Sequence, residues 1–160
     1  MPSRLKSLNP AFRISAGLAL LATGVAAVAR LVYTYEHGIW LVAYLFLVGS
    51  LSQYLLARGQ SALSPETPAR VVRSETLFWS AGVVTVPLGV LGGMKILIVI
   101  GSLVLLAALV LFWSATRPGM EVALAAGRIG LVRGYRALLI LVGISVFVGI
   151  GLGWRAPWFG

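Results

Sequence analysis

The sequence predicts an all-α, polytopic membrane helix bundle with five transmembrane helices, the N-terminus cytoplasmic and the C-terminus outside. Residues 1–160 are read as one integral membrane domain. Three observations carry this prediction. Of 160 residues, 59% are apolar and 11% charged, where a soluble domain carries about 25% charged residues. Mean hydropathy is +0.98, and a chain this short cannot hide so much apolar surface from water. The apolar residues also gather into five runs, each close to the roughly 17–25 residues that a bilayer-spanning helix needs.

The first span covers residues 14–35 and holds one charge, Arg30. A basic leader and Ala27-Val28-Ala29 resemble a secretory signal with its cleavage site. The apolar run resumes after Arg30 with Leu31-Val32-Tyr33, so the segment is read as an uncleaved anchor. The other spans cover residues 39–56, 77–94, 96–113 and 137–154, and none contains a charged residue. Glu36-His37-Gly38 and the Gly92-Gly93-Met94-Lys95 stretch form tight turns, so spans one and two pair, as do three and four. Residues 57–76 and 114–136 are expected to be long loops.

Within those loops, Thr67-Pro68 fits a helix N-cap followed by proline at the first helical position; a helix starting there can run into the third span, with Arg70 and Arg73 sharing a face at the headgroups. Arg117-Pro118-Gly119 is expected to break the chain. Residues 120–131 then suit an amphipathic interfacial helix, with Arg117, Glu121 and Arg128 opposite Met120, Leu124 and Leu131. Pro87 is expected to kink the third span.

Orientation follows from the basic residues. Of 13 Lys and Arg, ten fall on one side: Arg4, Lys6, Arg13, Arg58, Arg70, Arg73, Arg117, Arg128, Arg133 and Arg136. Lys95 and Arg155 fall on the other. Such an excess marks the cytoplasmic side. The expected location is the plasma (inner) membrane of a prokaryote.

Composition also narrows the chemistry. The chain has no Cys, which removes disulfides and thiolate chemistry. It has four acidic residues, all Glu, and one His, so a Ser-His-Asp set cannot form. Zinc and copper sites want three or more ligands, and no metal is expected. His37 with Met94 could form a haem axial pair, but a lone interfacial His is more simply a turn residue, and no cofactor is expected. No pattern of interleaved basic and aromatic residues suggests nucleic acid.

Candidate contact residues lie mainly at the outer ends. Arg30 either snorkels to the interface or meets a partner subunit, a lipid headgroup or a substrate anion. Glu36 is the carboxylate predicted on its side. Gly143, Gly149, Gly151 and Gly153 give the fifth span small residues at helical spacing, and Gly89 and Gly93 are four apart; such faces let helices approach closely. Trp154 and Trp158 read as an interfacial aromatic belt. The residues expected to touch partners or lipid are therefore Arg30, Glu36, His37, Gly143, Gly149, Gly153, Trp154 and Trp158. Glu75 is expected at the start of the third span, near Arg70 and Arg73, favoured by the helix N-terminus. Gln53, Ser50 and Ser52 are candidates for interhelical hydrogen bonds.

The expected function is that of a small non-catalytic accessory or structural subunit, with other membrane subunits and lipids as partners. The alternative is a small homo-oligomeric transporter or channel. A third is a membrane-embedded enzyme handling lipid or quinone, using Arg30, His37 and Tyr35.

Overall fold

Hydrocarbon offers no partner to backbone N–H and C=O groups, so a chain crossing it must satisfy them internally. A computed structural model describes residues 10–32 and 38–155, with side chains to Gly151. Five helices there are long and apolar enough to cross a membrane: α1 Pro10–Val32, α2 Gly38–Leu63, α3 Ala69–Leu91, α4 Lys95–Ala125 and α5, which crosses over Ile129–Gly151 and ends at Arg155. The protein is an all-helical integral membrane protein, as its composition predicts. The turn at Glu36 and His37 and the aromatic end at Trp158 lie outside the described residues.

The helices run past the apolar runs, and this corrects the expected loops. Residues 57–63 continue α2, residues 114–125 continue α4 and residues 129–136 begin α5, while residues 69–76 begin α3, as the helix start at Thr67-Pro68 predicts. The connections shrink to residues 64–68 and 126–128. Hydropathy marks where hydrocarbon ends, and a helix need not end there. The extended turns carry Arg58, Arg70, Arg73, Arg117, Arg133 and Arg136, all exposed.

Two glycines set the turns. Gly93 and Gly127 adopt positive φ of 65° and 73°, which costs glycine nothing. After α3, Met94 N–H donates to Gly89 O at 2.8 Å and Gly93 N–H to Val90 O at 3.3 Å. After α4, Arg128 N–H donates to Ala123 O at 2.8 Å and Gly127 N–H to Leu124 O at 3.0 Å. Both are Schellman caps, which satisfy the last carbonyls of a helix.

No separate interfacial helix occupies residues 120–131, and Pro118 does not break the chain. Pro118 lies inside α4. It removes one backbone bond, yet tertiary packing holds the helix: Met120 and Ala123 are buried, and Gly119 lies against the Leu63 carbonyl with no room for a side chain. The expected polar face survives as an exposed Arg117–Glu121 ion pair at 3.7 Å. The helix after Thr67-Pro68 starts one residue late. Pro68 is the N-cap, and Thr67 Oγ1 donates to Ser64 O at 2.8 Å, closing the turn.

The α3–α4 hairpin is the tightest pairing. A Cβ at Gly82 would meet Leu105 Cγ at 2.6 Å and Gly101 O at 2.9 Å; at Gly101 it would meet Val86 N at 2.9 Å; at Gly89, Ile98 N at 2.7 Å. Three glycines thus let the two backbones approach closely. α5 and the C-terminal half of α2 pack on α4, and α1 packs mainly on α2. Phe112 of α4 ties the core together, stacked on Phe12 of α1 at 5.6 Å and edge-on to Trp79 of α3 at 6.1 Å. Within α2, residues Leu45–Ser52 are π-helical. The Trp79 indole N–H donates to Val48 O there at 3.2 Å.

Substitution at the hairpin glycines should separate them from outward ones. Gly82→Ala forces the backbones apart and is expected to destabilise by about 1–3 kcal/mol. Gly134→Ala meets nothing within 4 Å and should stabilise by about 0.5–1 kcal/mol through helix propensity. Unfolding of both variants in mild detergent checks the contrast.

Candidate functional site

The polar side chains that matter face inward and share the phase of the apolar stripes. On α3, Val72, Glu75, Trp79, Gly82, Val86 and Gly89 are buried at spacings of three and four. On α2, Gln53, Leu56, Gln60 and Leu63 repeat the pattern. Glu75 is 0% exposed and Gln60 2%. The Gln60 amide donates to both carboxyl oxygens of Glu75, at 3.0 and 2.9 Å.

Two hydroxyls stand close by. Thr116 of α4 and Tyr135 of α5 are buried. Thr116 directs its hydrogen to Phe112 O at 2.7 Å. The Tyr135 hydroxyl lies beside Thr116 and within electrostatic reach of Glu75, yet completes no hydrogen bond. Its ring packs directly on Gly59, leaving that residue no room for a side chain. Gln60 Oε1 is also buried and unpartnered. Four helices therefore contribute one polar group each to a site with two unmet hydrogen-bonding atoms.

This overturns the reading of Glu75 as a residue at a helix start beside Arg70 and Arg73. α3 begins at Ala69, so Glu75 lies about 9 Å further along the axis at 1.5 Å per residue. Arg70 and Arg73 are exposed, while Glu75 turns inward to Gln60. The third span is consequently not charge-free. The signal was present in the sequence: Glu75 falls in phase with Trp79, Gly82 and Val86, and Gln60 in phase with Leu56 and Leu63.

A second polar joint lies about two turns along α2. Ser15 Oγ of α1 donates to Gln53 Oε1 at 3.1 Å. It also lies 2.7 Å from Ser80 Oγ of α3, which must then supply that hydrogen. The joint links three helices, as expected for Gln53. Ser52 instead donates to Leu47 O of its own helix at 2.7 Å. Ser80 is a partner that sequence reasoning did not single out.

The remaining candidates divide. Arg30 is half-buried in the last turn of α1, and its Nε is enclosed without a hydrogen-bond partner. Gly143 faces Leu109 of α4 at an ordinary 3.9 Å, whereas Gly149 and Gly151 meet nothing within 4 Å. Gly153 and Trp154 lie in the final turns of α5, beyond the described side chains; Glu36, His37 and Trp158 lie outside the described residues. Among the described residues, no three His, Cys, Asp or Glu side chains gather into a metal-binding group. No family model, no curated protein and no solved structure matches this chain.

The Gln60–Glu75 pair lends itself to a double-mutant cycle. Gln60→Leu strands a buried carboxyl and should cost about 1.5–3 kcal/mol. Gln60→Leu with Glu75→Leu removes both partners and should recover most of that loss. A double-variant loss equal to the sum of the separate Gln60→Leu and Glu75→Leu losses would show that the pair is not coupled.

Proposed function

We propose that this protein is a small non-catalytic subunit of a larger membrane complex, seated in the plasma membrane of a prokaryote with its arginine-rich end in the cytoplasm. The supporting observation is the outward placement of small residues on α1 and α5. Gly17 and Gly24 on α1, and Gly149 and Gly151 on the apolar stretch of α5, have nothing within 4 Å. Lipid-facing positions are ordinarily filled by large apolar side chains, whereas small residues let another helix approach. The same two helices are thinly packed within the chain. Of the apolar stretch of α1, 17% is buried, and of α2 and α5 22% each, against 39% for α3 and α4; of the three thinly packed helices, α1 and α5 carry the outward glycines.

The test uses the room at those glycines. In mild detergent the chain should co-purify with larger subunits in fixed ratio. Gly24→Leu and Gly149→Leu should abolish that association while the chain itself keeps its thermal stability. A monodisperse single-chain particle in gentle extraction contradicts the proposal.

Glu75 favours a second reading, a small transporter. Ionisable groups within membrane helices are scarce and commonly belong to ion or proton pathways. Reconstituted into vesicles, the chain would then carry cation or proton flux. That flux would be lost in Glu75→Gln, with the fold retained. Absence of flux with every cation tried, and with a proton gradient, leaves Glu75 a structural group.

A further inference from the structure

We infer that the end of the α4–α5 hairpin is a seat for the headgroup of an anionic phospholipid, built from Trp113, Arg117, Arg133 and Arg136. The Arg136 guanidinium lies over the Trp113 ring, 5.6 Å from its centroid. That contact fixes the register of two antiparallel helices. Three residues back along α5 meets three residues forward along α4, so Arg133 stands level with Thr116 and Arg117. Trp113 and Arg117 are four apart and share one face of α4; Arg133 and Arg136 are three apart and share one face of α5. All four side chains are exposed.

The register also locates the headgroup layer. The apolar run of α4 ends at Trp113, and the first charge, Arg117, follows one turn beyond. The uncharged run of α5 starts just after Arg136. Since Arg136 sits on Trp113, the hydrocarbon boundaries of the two helices fall at one level. A tryptophan at such a boundary places its apolar ring against the acyl chains and its N–H among the headgroups. Above it, three guanidiniums offer forked donors that match phosphate oxygens in pairs.

Charge complementarity identifies the occupant. Among the described residues, the carboxylate engaged here is Glu121, and its contact with Arg117 is long at 3.7 Å, with both side chains more than 70% exposed. An exposed pair of this kind is weak, so Arg117 keeps donors for another anion. The arginines flank an apolar helix face rather than a pocket in water. A ligand carrying phosphate on acyl chains satisfies both surfaces together, which a soluble anion does not.

The seat is tested by lipid retention. The detergent-purified chain is titrated with phosphatidylglycerol or phosphatidylcholine, and bound lipid is counted by native mass spectrometry. Phosphatidylglycerol should bind about 5-fold more tightly or better, from arginine–headgroup attraction at the surface. Arg117→Gln with Arg133→Gln and Arg136→Gln should remove the preference, and Trp113→Ala should weaken it. A control triple, Arg58→Gln with Arg70→Gln and Arg73→Gln, deletes the same charge elsewhere at this end and should retain it. Equal loss in the control overturns the seat in favour of diffuse attraction. No preference in the unaltered chain overturns it outright. Displacement of the lipid by an equal concentration of inorganic phosphate would overturn the assignment to lipid.

Discussion

The close approach of α3 and α4 is the contact on which the rest of the bundle depends. Without a solvent-driven hydrophobic effect between helices in lipid, association relies on packing and on hydrogen bonds across helices. Gly82, Gly89 and Gly101 bring two backbones within reach over the half of the hairpin nearest its turn. This makes a rigid pair whose α4 surface receives α5 and the far half of α2. Phe112 then anchors α1 and α3 through Phe12 and Trp79. α1, placed mainly through α2, retains the largest share of uncovered surface.

That arrangement explains where the polar groups go. Glu75, Gln60, Thr116 and Tyr135 occupy inward positions of four helices, and burial makes each unmet hydrogen-bonding atom costly. The Gln60 amide answers both oxygens of Glu75, while Gln60 Oε1 and the Tyr135 hydroxyl stay unpaired. Such a site is either a specific fastener or a place where a small charge is handled. The same inward phase explains the Trp79 indole bond to Val48. Its acceptor lies in a π-helical segment, a form whose looser bonding often accompanies functional sites.

Legibility followed from physics of different range. Membrane residence and the number of helices were readable because the transfer of apolar side chains to lipid is additive along the chain. Helix ends were not, because the arginines after Leu56 and Trp113 stop the hydrocarbon run without stopping the helix. The ends are written instead in Gly93 and Gly127, whose positive φ closes a Schellman cap. Gly127 falls within the stretch expected to be an interfacial helix, and it terminates α4 instead. Pro118 misled in the same way, since a local preference for breaking the helix is overridden by packing of Gly119 on Leu63 and burial of Met120.

The sequence by itself determined that this is a membrane protein of five helices and that its basic residues gather in the segments of one end. These follow from composition and short-range periodicity, which survive any particular packing. Only the tertiary structure decided that Glu75 meets Gln60, that Gly82 and Gly101 face one another while Gly134 faces outward, and that Arg136 lies on Trp113. Each of those depends on the rotation of one helix about its axis relative to another. That rotation is set by the summed fit of many side chains, and no single stretch of chain records it.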